Sequence, residues 1–178
     1  MKPEPHGAIS STLSFLHNTD AMDWTFEGRR AVIHLNDKMM ASLKPRGLIG
    51  YRRQEGSYEG KGLEIIARSG AVAWKEVMTS EHGVEPIRWI LLTGTYQQRA
   101  ELVCPDKRSC FLMYESIEKR RPAWWFVAED GRKLTVTEAD FMMPRYSFRV
   151  IDLREDDPNP WLLAVVSLYN ILRFNYPS

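Results

Sequence analysis

Along most of the chain, apolar and polar residues alternate in short runs divided by turn residues, the period-two pattern of half-buried strands. Arg30–Leu35 sets Ala31, Ile33 and Leu35 on one face. Gly62–Ala67 and Ala71–Val77 flank Ser69-Gly70, a two-residue hairpin signal. Pro86–Thr93 and Tyr96–Val103 flank Gly94, and Ser109–Glu115 and Ala123–Ala128 flank the charged turn Glu118–Pro122. Asp130-Gly131 reverses the chain into Arg132–Glu138, and Arg145–Asp152 follows. Thr12–Leu16, Asp23–Phe26, Met39–Leu43 and Gly47–Arg53 bring the expected strands to about a dozen.

After Asn159 the period changes. Asn159 is a suitable helix cap, and Pro160 suits the first helical position, where a missing N–H costs nothing. Between Trp161 and Phe174 only Ser167, Asn170 and Arg173 are polar, three residues apart on one narrow stripe. A helix apolar on every other side must be surrounded. At about 1.5 Å per residue it is too short for the ~20 apolar residues of a bilayer span, so its own domain must cover it. Arg173 then needs a carboxylate partner or an exit to solvent.

Two strands, Pro86–Gly94 and Ala123–Glu129, are apolar or aromatic on both faces, unlike an antiparallel strand wetted on one side. The terminal helix is the large apolar element available to cover them. A lumen of a dozen strands is too wide for its own side chains, and one helix of roughly 10–12 Å would fill it. The expected fold is therefore mainly β: a closed antiparallel barrel of about twelve strands enclosing a hydrophobic C-terminal helix over residues 160–174. Residues 12–178 make one domain behind a flexible tail, residues 1–11.

Composition narrows this picture. The 178 residues suffice for one domain with a real core, and 44% hydrophobic with 26% charged is ordinary for a folded chain. The net charge of +1 argues against a nucleic-acid binder, and no RNP-like or helix-turn-helix pattern offsets that. The N-terminus has no signal-peptide run, so the thiols of Cys104 and Cys110 are expected to be reduced, in a cytoplasmic protein. Two thiols without histidines at ligand spacing do not complete a zinc site, and no cofactor is expected. Met39-Met40 and Met142-Met143 read as core filler.

The late strands, GRKLTVTEADFMMPRYSFRVID, followed by NPWLLAVVSLYNIL, resemble the tubby C-terminal-like superfamily, which includes the LURP-one-related proteins and the phospholipid scramblases. That resemblance implies a twelve-stranded barrel threaded by its last helix. It also implies membrane tethering through phosphoinositides, as in tubby-like members, or lipid movement, as in scramblases. The acidic residues Asp152, Glu155, Asp156 and Asp157 lie where scramblases bind calcium, but they lack the alternating oxygen ligands and central glycine of such a loop. They read as a solvated turn beside the positive end of the helix.

The strongest candidate site is Lys119, Arg120 and Arg121 with Trp124 and Trp125: cations for anionic head groups and indoles suited to the membrane interface. Arg52 and Arg53, with Lys44 and Arg46 upstream, form a second basic group. His6, His17, His34 and His82 stand in no catalytic signature, and there is no GxSxG, HExxH, P-loop or GxGxxG. The expected function is a non-enzymatic intracellular interaction module, peripheral to a membrane and binding anionic phospholipid head groups. The alternative is a barrel carrying a small apolar ligand, with the terminal helix as its lid.

Overall fold

A computed structural model describes residues 21–45, 53–68, 71–77, 87–92, 99–103, 109–116, 122–140 and 145–175. In chain order these form β1 (Met22–Asp23), β2 (Thr25–Glu27), β3 (Arg30–Leu35), β4 (Lys38–Pro45), β5 (Arg53–Tyr58) and β6 (Lys61–Arg68). There follow β7 (Ala71–Val77), β8 (Ile87–Leu92), β9 (Arg99–Val103), β10 (Ser109–Ser116), β11 (Pro122–Val127), β12 (Lys133–Asp140) and β13 (Arg145–Val150). The helix α1 (Pro160–Asn175) ends the series. The expected strand Thr12–Leu16 and the expected tail, residues 1–11, lie outside the described residues.

Every pairing is antiparallel, and the ladder runs β1-β13-β12-β11-β10-β9-β8-β7-β6-β5-β4-β3-β2. Two groups of five, β1-β13-β12-β11-β10 and β6-β5-β4-β3-β2, carry most of the described core. The expected closed barrel of about twelve strands is overturned: thirteen strands are paired, and the ladder has two ends, β1 and β2. The physical reason lies at Trp24, which separates two very short strands. Met22 and Asp23 pair with Phe148 and Ser147, whereas Thr25–Glu27 pair with Arg30–Val32. One strand of the expected pattern, Asp23–Phe26, is thus divided between the two ends and hydrogen-bonds to neither along its whole length.

The helix packs against β4 and β5 of one group and β12 and β13 of the other. From Trp161 to Leu172 no side chain is more than 9% exposed, so the expectation of a helix covered by its own domain holds. Phe148 of β13 meets Trp161 with ring centroids 6.2 Å apart. Strand alternation brings Leu112, Phe126, Val150 and Tyr146 into the same core from one group, and Ile33, Ala41, Leu43 and Ile65 from the other. Met40 is buried but Met39 is exposed, because consecutive strand residues face opposite ways. The core-filler reading holds for Met40 alone; Met142 and Met143 lie outside the described residues.

The expected strand Gly47–Arg53 lies, apart from Arg53, outside the described residues, and β5, Arg53–Tyr58, is a strand that the sequence pattern did not set. Its core-facing positions are Gln54, Gly56 and Tyr58, a series that does not read as hydrophobic alternation. Gly56 is required by contact: a Cβ there would lie 3.0 Å from the Ser42 carbonyl oxygen and 3.2 Å from Val165 Cγ1. Helix and strand approach through that missing side chain. Gly56→Ala is therefore expected to destabilise the fold by about 1–3 kcal/mol, read as a lowered denaturation midpoint.

The entry to α1 is tied to both groups of strands. Asn159 caps the helix, its Oδ1 accepting from Trp161 N–H at 2.9 Å. Its Nδ2 donates to Glu59 Oε2 at 2.8 Å, at the tip of the β5–β6 hairpin. Glu59 has φ 46° and Gly60 φ 77°, the left-handed pair a tight hairpin needs. From the other group, Arg132 donates to both carboxylate oxygens of Asp157 at 2.7 and 2.9 Å and to the Asp152 carbonyl at 2.7 Å. Asp157 also accepts from Arg154 N–H at 2.7 Å. Its carboxylate is thus a fastening, where a solvated turn was expected.

Partial burial pushes the Asp157 carboxyl up, but the hydrogen bonds from Arg132 and Arg154, with the charges of both, outweigh it and hold it below its ordinary value. A depressed folded-state value stabilises above the unfolded value near 3.9, and that stabilisation is lost as pH falls through the folded value. Asp157→Asn is expected to cost about 2 kcal/mol at neutral pH. The gap from the parent should close in melts taken progressively below about pH 4.

Candidate functional site

The topology sorts the connections. Because consecutive strands are ladder neighbours and antiparallel, the links β2–β3, β4–β5, β6–β7, β8–β9, β10–β11 and β12–β13 all leave one border of the sheet. The links β3–β4, β5–β6, β7–β8, β9–β10 and β11–β12 leave the other, together with the segment entering α1. Those borders differ in charge. On the first, residues 44–53 carry four basic residues and no acidic one, and residues 116–122 carry three basic and one acidic. On the second, residues 150–160 carry four acidic residues and one basic, and residues 77–87 two acidic residues with no Lys or Arg. By sequence, the links bracketed by strand ends of the first border are richer in cations than those bracketed by strand ends of the second, although the β9–β10 link of the second also carries Lys107 and Arg108.

Of the candidate residues, Lys119, Arg120, Arg121 and Arg52 lie outside the described residues, and only the backbone of Arg53 is described. The strand ends bracketing them, Pro45 and Arg53 on one side and Ser116 and Pro122 on the other, share the first border. Arg29, Arg30, Lys44 and Arg145 are exposed at this same border. It also has countercharge: a hollow of about 200 Å³ there is lined by Asp23, Glu138, Asp140 and Arg145. Arg145 Nε donates to Asp23 Oδ2 at 3.0 Å, and this exposed pair raises the guanidinium pKa.

The two tryptophans part company. Trp124 is 4% exposed, in the core, with its ring centroid 5.2 Å from that of Tyr114. Trp125 is half-buried on the opposite face, and Lys133 Nζ sits 4.1 Å from the centre of its ring. Register puts Met113, Trp125, Val136 and Arg149 in one row across that outer face, with Met113 and Arg149 exposed. Lys133 begins β12 at the second border, the far end of β11 from the link that holds Lys119, Arg120 and Arg121. The two tryptophans of the expected cluster thus face opposite sides of one strand, and its three cations lie outside the described residues.

The second border has an open hollow of about 340 Å³ lined by Ser109, Ala128, Glu129, Asp130, Asp156, Asp157 and Pro158. Ser109 Oγ donates to Glu129 Oε1 at 3.1 Å. Among the described residues no three His, Cys, Asp or Glu side chains are grouped to hold a metal ion. His34 is exposed on β3, and Cys110 is fully buried while Cys104 lies outside the described residues. No helix among the described residues is long and apolar enough to cross a membrane. No protein-family model, curated protein or solved structure matches the chain.

Sequence reasoning missed the Arg132–Asp157 fastening and the sorting of connections by border. The first needs two segments brought together from 25 residues apart. The second was within reach, because a chain of successive hairpins sends every other link to the same border.

Proposed function

We propose that the protein is a non-enzymatic, cytoplasmic interaction module that docks peripherally on anionic phospholipid head groups through the first border of its sheet. The observation that supports this reading is the shared border of the two basic links, 44–53 and 116–122. Cations gathered at one end of a nearly neutral chain act together on a negatively charged plane, each contributing about 1 kcal/mol near the surface. Arg52, Arg53, Lys119, Arg120 and Arg121 are the head-group contacts. Trp124 has no part in them, since its ring is committed to the core. Trp125, beneath Lys133 on the outer face, lies toward the other border and is not a contact either. Kinship with the tubby-like and LURP-one-related proteins belongs to the same proposal, on the strength of the late strands and the terminal hydrophobic helix.

An apolar carrier is the weaker reading. Such a carrier needs interior room and a helix able to lift, whereas α1 fills the interior with its own side chains and is tied at its entry by Asn159 and Asp157.

Vesicle flotation tests the proposal. The protein should float with vesicles containing phosphatidylserine or a phosphoinositide and stay behind with pure phosphatidylcholine. Alanine at Arg52, Arg53, Lys119, Arg120 and Arg121 should abolish flotation, while alanine at Lys38, Lys61 and Arg154 on the second border should not. Failure to float, or equal loss in both variants, would overturn it.

A further inference from the structure

Among the described residues, five core side chains end in polar atoms without a hydrogen-bond partner: both amide atoms of Gln54, Oγ1 of Thr135 and of Thr137, and Nε1 of Trp24 and of Trp161. None of the five is more than 3% exposed. Folded proteins leave few such groups unpaired, because each one costs its full desolvation. Thr135 and Thr137 stand two apart on β12, so both face the core, the first between Phe126 and Val150 and the second between Trp124 and Phe148. Opposite them is α1. Val165 fixes the helix's rotation, since its Cγ1 lies 3.2 Å from where a Cβ on Gly56 of β5 would stand. Ser167 lies about 200° further round, on the side away from β5, and Asn170 about 140° round. Both are buried, on the one polar stripe of the helix. The helix also packs on β12, in the other group of strands. Polar positions of helix and strand therefore turn toward each other across an otherwise apolar core, while Ser167 Oγ is already committed to the Leu163 carbonyl at 2.8 Å.

We infer that α1 is bedded on ordered internal water along this stripe, bridging Thr135 and Thr137 to the Ser167–Asn170 side of the helix, with a further water serving the Gln54 amide. A chain of 178 residues ordinarily encloses about six or seven such waters, each making about three hydrogen bonds, enough for every unpartnered atom named. The helix is held dry where Val165 meets Gly56 and wet where it meets β12. That asymmetry gives a core of large apolar side chains one polar register, and so a single rotational setting of the helix.

Isosteric removal of the hydroxyls reads the difference directly. If water bridges them, Thr135→Val, Thr137→Val and Gln54→Leu should each lower the thermal midpoint, by roughly 2–4 °C or more. If the atoms are truly unpaired, removing them should leave the midpoint unchanged or raise it, which overturns the inference. A second measurement needs no variant. Nuclear Overhauser transfer from long-lived water to the γ-methyl groups of Thr135 and Thr137 is expected in the unaltered protein, and its absence also overturns the inference.

Discussion

A chain ending at Asn159 is expected to show no cooperative thermal transition. Nine large apolar side chains between Trp161 and Leu172 are buried in the described structure, none more than 9% exposed. Burial of each contributes about 1.5–3 kcal/mol, which puts the loss at roughly 14–27 kcal/mol. A typical domain has only about 5–15 kcal/mol of stability in total. The strands would also expose Phe148, Leu43 and their neighbours, and among the described residues the open ladder has no other helix to cover them. Scanning calorimetry beside the full chain is the check. A sharp endotherm from the truncated chain would mean that the strands hold together without the helix, and the account of the core would be wrong.

Loss of membrane binding on neutralising the first border is the second large effect. Removing five cations at about 1 kcal/mol each weakens binding to anionic vesicles by roughly a thousandfold or more. Salt should mimic the mutation. The Debye length falls from about 10 Å at 0.1 M to about 3 Å at 1 M, so the unaltered protein should release its vesicles across that range. Lys38, Lys61 and Arg154 are as basic in type but lie at the other border, where Glu129, Glu155 and Asp156 are exposed as well. Their alanine variant should bind within about twofold of the parent, since rim charges at the far side act only through screened distance. Titration by surface plasmon resonance on supported bilayers gives both numbers, and equal weakening in the two variants would show that only total charge matters.

The helix was legible in the sequence because its determinants are local. Asn159, Pro160 and the apolar run after them need no partner elsewhere to specify a capped helix, and the described helix starts at Pro160 as expected. The hairpin at Asp130-Gly131 was similarly open to reading, since a glycine that takes positive φ marks the turn. β5 was not legible, because its core-facing positions hold Gln54 and Gly56, chosen by the approach of Val165 and not by hydrophobicity. Trp124 and Trp125 were grouped as one feature although a strand must send them to opposite faces.

Local periodicity, turn chemistry and capping depend on neighbours a few residues away, and so the mainly β character and the buried terminal helix were determined by the sequence itself. The open ends at β1 and β2 and the tie between Arg132 and Asp157 were decided by tertiary structure. Each of those depends on which segments meet across the sheet, and long-range pairing energies leave no local trace in the chain.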